Sequence, residues 1–217
     1  MRGAYTAIAV GAFLAMATPG WAQTGGARIS RGDAAGTLGW LNARQAVPDG
    51  YGDGDDWYNR SLSGGASFGW YWTDHWKSEV EGGASTRAEL QGAQSTFAGG
   101  RQESLYSTYG FSTSRIAIGQ QYQFFRNAWV HPFIGGGIDF TWESIDQFDQ
   151  VFSSFPIPAT VRVDHPDRSE FHTRPFATVG LKAYMTPHGF FRTDVKFVAD
   201  SHGLDEVTLR FGFGIDF

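Results

Sequence analysis

The sequence contains no cysteine and no long hydrophobic run, and both absences limit the classes of protein it can encode. Without cysteine, no disulfide framework can stabilise the domain. The longest apolar run, residues 7–17, is shorter than the roughly 18 residues that predict a transmembrane helix. Lysine is scarce, no block of basic residues is present, and the formal net charge is −5. The composition therefore excludes a helical membrane domain and argues against nucleic acid as a partner.

Glycine and aromatic residues are abundant, with 29 glycines and 16% aromatics, which is typical of β proteins. At the N-terminus, Arg2 precedes the apolar run, and the small residues Gly20 and Ala22 follow it. This pattern predicts a secretory signal peptide over residues 1–22 that is removed after Ala22. We expect a flexible periplasmic leader over residues 23–35 and one β domain over residues 36–217.

Apolar and polar residues alternate along eight segments, which predicts eight β-strands with two chemically different faces. The segments are 36–43, 63–72, 77–90, 105–125, 129–145, 171–185, 190–199 and 206–217. Short connections alternate with long ones between them. Short turns at one end, long loops at the other and an even number of strands are typical of an outer-membrane barrel. The sequence therefore predicts an all-β fold: an eight-stranded antiparallel up-and-down transmembrane β-barrel.

Charged residues recur on one face of the predicted strands. Pointing an arginine or lysine at the membrane midplane costs roughly 2–4 kcal/mol, so we expect these side chains inside the barrel. The predicted lumen ionic network contains Glu79, Glu81, Arg87, Glu89, Arg115, Asp139, Glu143, Arg174, Lys182, Arg192, Asp194, Lys196, Glu206 and Arg210. Because isolated charges would be costly in so narrow a lumen, they should pair and block it. A narrow pore for small solutes is the alternative.

The glycine-rich "HPFIGGGIDF" (131–140) and the C-terminal "LRFGFGIDF" (209–217), together with the signal peptide and eight strands, resemble the small outer-membrane β-barrel superfamily of the OmpA/OmpX type. The resemblance implies the outer membrane of a Gram-negative bacterium, with outer-membrane lipid and lipopolysaccharide as surroundings. It also implies that the barrel-assembly machinery recognises the last strand. The corresponding assembly signal is Val207, Leu209, Phe211, Phe213, Ile215 and Phe217.

A lipid A-modifying enzyme of the deacylase type is the competing function. "VHPFIGGGIDF" and "PFATVGLKAYM" are similar to middle strands of that family, whose penultimate strand carries His-x-Ser-Asn. Here the corresponding strand lacks this motif, and Ser201 and His202 are adjacent, reversed and in a loop. We therefore predict no catalytic residue and no cofactor.

The sequence predicts a structural or surface-interaction role, and two of the long loops suggest the surface interactions. The first contains Asp49, Asp53, Asp55 and Asp56, whose oxygens suit calcium, although a solvated acidic loop is the simpler interpretation and no metal site is predicted. In the third, "QVFSSFPIPATVRV" carries apolar residues on both sides of a proline-containing turn. This pattern predicts a hairpin beyond the membrane, with an edge that could bind a surface ligand by strand addition.

Overall fold

The computed structural model describes residues 31–45, 56–98, 101–124, 129–153 and 159–217. The predicted signal peptide, most of the leader, and Asp49, Asp53 and Asp55 lie outside these residues. Among the described residues, no helix is long and apolar enough to cross a membrane. The strands are β1 (Gly32–Gln45), β2 (Asp56–Tyr71), β3 (Trp76–Ser85), β4 (Ala88–Ala98), β5 (Arg101–Gln123), β6 (Val130–Ser153), β7 (Ala159–Asp164), β8 (Arg168–Tyr184), β9 (Gly189–Asp200) and β10 (Gly203–Asp216).

The ten strands occupy eight positions around one closed barrel, and we call each position a stave. β3 and β4 follow each other along the same side of β5, and β7 and β8 follow each other along the same side of β6. All pairings are antiparallel, and β1 closes the barrel by pairing with both β2 and β10. The predicted eight-stranded antiparallel barrel is confirmed.

The two faces of the wall differ in chemistry as the alternation predicts. On β9, Arg192, Asp194 and Lys196 are buried inside, whereas their neighbours in sequence face outward. Large apolar side chains form the exposed outer surface: Leu38, Leu62, Phe68, Val80, Ile116, Ile118, Ile134, Ile138, Val179, Leu209, Phe211, Phe213 and Ile215. A continuous apolar exterior of this extent is typical of a surface that contacts lipid.

The first strand begins earlier than predicted. β1 starts at Gly32, so residues 32–35 belong to the barrel and not to a leader. Asp33 pairs with Asp216 of β10 and Gly69 of β2 in the strand register, and its side chain is buried. The prediction was wrong here because three small residues, Ala34, Ala35 and Gly36, interrupt the apolar pattern that marks a strand.

A β-bulge overturns the inward orientation predicted for Arg87 and Glu89. Ala84 is opposite Ser114 and Ala88 is opposite Phe111, so four steps along one stave match three along its neighbour. The extra residue reverses the faces beyond it, as bulges do. Arg87 consequently contacts Glu89 and Asp146 on the outer face, where all three are partly exposed.

The four staves from β4 to β7 extend well past the others at the end of the long loops. β5 and β6 have 23 and 24 residues, more than twice the 9–11 that a membrane-spanning strand needs. On the long-loop side of residue 143, β4, β5, β6 and β7 form a four-stranded sheet, which we call the extension. The pairing of 148–153 with 159–164 confirms the predicted hairpin.

Candidate functional site

Buried charges fill the lumen, beginning at the turn end of the barrel, where Gly32 and Phe217 meet. The Asp33 carboxylate accepts hydrogen bonds from Lys77 at 2.9 Å and from Lys182 at 2.8 Å. The Tyr71 hydroxyl donates to the same carboxylate at 2.9 Å. Lys182 also lies 3.2 Å from Asp216. Each lysine is thus desolvated but paired, as buried charges must be.

The next layer is built on β3 and β9. Lys77 lies 2.6 Å from Glu79, and Arg192 donates two parallel hydrogen bonds to Glu79 at 2.8 and 2.9 Å. Arg192 Nε donates to Asp194 at 2.7 Å. Asp194 also accepts from Arg210 Nε at 2.6 Å, so one carboxylate lies between two guanidinium groups. Two-pronged arginine–carboxylate contacts of this kind fix geometry as well as charge.

Toward the loop end, Arg210 continues to Glu81 at 2.5 Å, and Lys196 lies 3.3 Å from Glu81 and 2.6 Å from Asp139. The contacts therefore form one unbroken series, which we call the ion-pair chain. It comprises Asp216, Lys182, Asp33, Lys77, Glu79, Arg192, Asp194, Arg210, Glu81, Lys196 and Asp139. Arg115 and Glu206 form a separate pair beyond it.

Some of these contacts cross the full width of the lumen. β3 and β9 lie four staves apart in a closed barrel of eight, so they face each other. The Glu79–Arg192 and Glu81–Lys196 contacts join these opposite walls. The rings of Phe133 and Phe176 lie under Arg192 and Lys196, with cation-to-centroid distances of 5.0 and 4.6 Å. Such rings stabilise cations and fill space.

The predicted lumen charges divide into three groups. The first group is joined in the ion-pair chain and comprises Glu79, Glu81, Asp139, Lys182, Arg192, Asp194, Lys196 and Arg210. Arg115, Glu206, Glu143 and Arg174 face inward nearer the loop end, where Arg174 pairs with Asp205 and Glu143 lies 3.7 Å from His172. Arg87 and Glu89 lie outside, on the far side of the bulge.

Three members of the ion-pair chain are absent from the network predicted from the sequence. Asp33 lies within the range predicted as a leader, and Lys77 and Asp216 lie at strand ends outside the predicted lumen network, yet Lys77 is completely buried. The strand alternation contains the missing signal. Lys77 shares the parity of Glu79 on β3, and Asp216 shares that of Arg210 on β10. Extending the period of two to the strand ends would have included both.

Within the part of the chain that the structure describes, Ser201 and His202 do not form a nucleophile–base relay. Ser201 Oγ lies 3.2 Å from His202 Nδ1, and the nearest carboxylate, Asp200, lies 3.5 Å from the same nitrogen. A relay needs the nucleophile on one ring nitrogen and the orienting carboxylate on the other.

One carboxylate of the extension is held in its ionised form. Burial raises the pKa of Asp149, but hydrogen bonds from Ser107 and with His165, the latter at 2.8 Å, outweigh burial. The pKa of Asp149 therefore lies below its ordinary value of 3.8.

No family model matches the sequence, and no curated protein matches it. Solved outer-membrane barrels do match the fold. The N-terminal β-barrel domain of Pseudomonas aeruginosa OprF is 14% identical, with a TM-score of 0.51 over 87% of this chain and 98% of that one. OprG from the same organism is 12% identical, with a TM-score of 0.49 over 87% and 97%. Ail of Yersinia pestis is also 12% identical, with a TM-score of 0.45 over 86% and 99%.

The similarity to the OprF domain concerns the fold, because the identity is low. Together with the closed antiparallel topology and the apolar exterior, it defines the class. The chain has the fold of a small eight-stranded outer-membrane β-barrel, as its sequence resemblance predicted.

Proposed function

We propose that this protein is an integral component of the outer membrane of a Gram-negative bacterium, with a lumen closed by ion pairs and a loop end that serves surface interaction. The observation that carries this proposal is the ion-pair chain, which crosses the lumen between β3 and β9. A permeating ion would have to separate Glu79 from Arg192 and Glu81 from Lys196. Separating buried partners is costly because neither charge can recover its hydration.

The exterior supports insertion in a membrane. Its apolar band is bordered by exposed aromatic side chains, with Trp72, Trp76 and Trp129 near the turn end and Trp142 and Phe171 nearer the loop end. Aromatic residues concentrate at membrane–water interfaces. In this arrangement the turn end faces the periplasm, the band contacts lipid, and the loop end lies among lipopolysaccharide.

The C-terminal strand suits the role of an assembly signal. The predicted signal residues alternate along the outer face of β10, and the last of them follows directly after the strand. They are Val207, Leu209, Phe211, Phe213, Ile215 and Phe217. Phe217 is more than half exposed although its backbone is paired with Gly32. An exposed terminal ring is accessible to the barrel-assembly machinery before the barrel closes.

The extension supports the surface role. Its outer face carries the paired rings of Tyr106 and Phe152 and the Arg162 guanidinium over Phe148, 4.1 Å from the ring centroid. Aromatic and arginine side chains are the residues that protein interfaces favour. The rigid barrel would hold this sheet above the membrane.

Conductance in planar lipid bilayers tests the closed lumen. We expect the purified protein to give no discrete conductance steps. Removing both opposed pairs, as in E79A and R192A combined with E81A and K196A, should produce them, because no ion pair then joins β3 to β9 across the lumen. Removing the outer-face pair Arg87 and Asp146 in the same way should leave the bilayer silent. Regular steps from the unmodified protein would overturn the proposal.

Cysteine labelling tests the orientation, since the chain has no cysteine of its own. On intact cells, a membrane-impermeant maleimide should label Gln150→Cys in the extension. It should not label Pro187→Cys in a turn at the opposite end. Labelling of the turn alone would reverse the orientation and remove the surface role.

A further inference from the structure

β7 is an edge strand of the extension. It pairs with β6 on one side, and no strand of the described residues pairs with its other side. β8 continues the same stave toward the turn end, and β9 pairs with β8 only from Phe176 to Tyr184. The neighbouring wall therefore ends closer to the membrane than β7 does. We call the unpaired side of β7 the free edge.

The backbone of the free edge presents a row of hydrogen-bonding groups that β6 does not use. The His165 N–H donates to the Gln147 carbonyl at 3.0 Å, so these two residues form a hydrogen-bonded pair between the segments. Such pairs alternate along an antiparallel ladder. Thr160, Arg162 and Asp164 therefore direct their N–H and C=O groups away from β6, to the free edge. A row of this kind is a template for another strand.

Two opposite charges alternate with two valines along the free edge. Arg162 and Asp164 lie on the outer face and are 56% and 67% exposed, and Val161 and Val163 lie on the inner face and are also exposed. The guanidinium donates to Asp164 only through its Nε, at 2.7 Å, and its terminal nitrogens have no hydrogen bond among the described residues. They can therefore donate to a second carboxylate.

The pattern of charges is complementary to itself. When a second β7 pairs antiparallel to the first with Val163 opposite Val163, Arg162 of each copy lies opposite Asp164 of the other. Opposite charges across two strands are stabilising, whereas like charges directly opposite are destabilising. The register centred on Arg162 places two arginines opposite each other. The register centred on Val163 is the one in which both charges meet an opposite charge.

The symmetry of this pairing fixes the relative orientation of the two barrels. Identical antiparallel strands in one continuous sheet are related by a two-fold axis perpendicular to the sheet. Because the extension continues the barrel wall, this axis is also perpendicular to the barrel axis. The rotation therefore inverts the second barrel. The two barrels then lie in opposing membranes, with their extensions joined between them.

We propose that the free edge binds β7 of a second copy of this chain in a facing membrane, so that the protein holds two outer membranes together. This inference rests on the proposed function, because the extension must lie outside the cell. The two fail differently. A wrong orientation changes the labelling of Gln150→Cys on intact cells, whereas a failed pairing leaves that labelling unchanged and removes the crosslink described next.

Disulfide crosslinking in lipid vesicles tests the register, since the chain has no cysteine of its own. The two Val163 Cα atoms would lie about 4.5 Å apart, as in other non-hydrogen-bonded pairs. This separation is within the roughly 4.4–6.8 Å that disulfides span. The two Val161 Cα atoms would be offset by about 13 Å along the strands. Under oxidation, Val163→Cys should give at least tenfold more disulfide-linked dimer than Val161→Cys. Equal yields, or no dimer from Val163→Cys, would assign the edge to another occupant and overturn the proposal.

Charge reversal tests the identity of the partner. Vesicles that contain the unmodified protein should cluster, which energy transfer between donor-labelled and acceptor-labelled vesicles measures. Arg162→Asp and Asp164→Arg should each lower clustering at least tenfold, because each variant places like charges opposite each other. Mixing vesicles of one variant with vesicles of the other should restore clustering, since every charge then meets an opposite charge.

Asp167→Arg is the matched control for these reversals. It makes the same change as Asp164→Arg at an exposed residue outside β7, and it should cluster like the unmodified protein. Heat-modifiable gel mobility confirms that each variant is folded. Dispersed vesicles of the unmodified protein, unchanged clustering after Arg162→Asp, or a mixture that stays dispersed would overturn the proposal. Crosslinking without clustering would also overturn it, because the copies would then lie side by side in one membrane.

Discussion

Asp194→Ala removes the carboxylate that lies between two arginines at the centre of the lumen. Asp194 accepts from Arg192 Nε at 2.7 Å and from Arg210 Nε at 2.6 Å, and its side chain is 0% exposed. Alanine would leave both Nε–H groups without a partner in a site that water does not reach. The two guanidinium groups would also lose the negative charge that separates them.

The expected loss follows from the burial of the pair. Removing one partner of a buried ion pair costs about 3–5 kcal/mol, because the remaining charge is uncompensated. Arg192 and Arg210 keep their contacts with Glu79 and Glu81, which favours the lower end of that range. We expect the free energy of unfolding to fall by about 3 kcal/mol, roughly a hundredfold in the unfolding equilibrium.

The extension contains a matched control. Arg162 Nε lies 2.7 Å from Asp164, and this pair has the same residue types and the same two-residue spacing along one strand. Its side chains, however, are 56% and 67% exposed. Because solvent screens exposed pairs, Asp164→Ala should cost no more than about 1 kcal/mol.

Urea unfolding of the protein in lipid vesicles, followed by tryptophan fluorescence, compares the two variants. Asp194→Ala should shift the transition to clearly lower urea, and Asp164→Ala should barely move it. Small, comparable losses at both positions would refute the reasoning. They would mean that water in the lumen screens its charges. The alternative of a narrow pore would then replace the proposal of a lumen closed by ion pairs.

Three further outcomes are expected. Gly212→Ala should destabilise the barrel by about 1–3 kcal/mol, because a Cβ at this position would collide with the carbonyl oxygen of Gly36. Gly36→Ala is the control, since a Cβ at Gly36 would face open space. An equal loss of stability for both variants in urea unfolding would contradict this prediction. Phe217→Ala should sharply reduce outer-membrane insertion in cells, while its folding into vesicles stays normal. Phe68→Ala is the control: it loses the same ring contact and should insert normally. Equal insertion of the two variants would mean that Phe217 has only a structural role. Because the pKa of Asp149 is lowered in the folded state, its stabilising contribution is present above pH 3.8 and is lost as pH falls further. Hydrogen exchange should show protection of β6 and β7 falling in that range, and an identical pH profile for Asp149→Asn would contradict the assignment.

The fold could be predicted because its main signal is local. A strand in lipid must alternate apolar and polar side chains, so the faces of β9 and β10 follow from residue parity alone. Parity also identifies Asp194 as an acid among inward bases. The closure of the barrel follows from the need to satisfy every backbone group in lipid.

The failures lie where one residue changes the parity or where a strand ends. The bulge beside Arg87 inserts a single residue that the alternation does not reveal. Asp33 lies in a run of small residues that gives no apolar signal. The pairing of Glu79 with Arg192 across the lumen depends on the relative register of β3 and β9, which are far apart in sequence.

Fractionation of cells combined with gel electrophoresis of boiled and unboiled samples tests the central claim most directly. A closed eight-stranded barrel in the outer membrane should be recovered with the outer-membrane fraction. It should migrate faster unboiled than boiled, because the intact barrel resists the detergent. Recovery in the soluble periplasm, with the same mobility before and after boiling, would contradict the account.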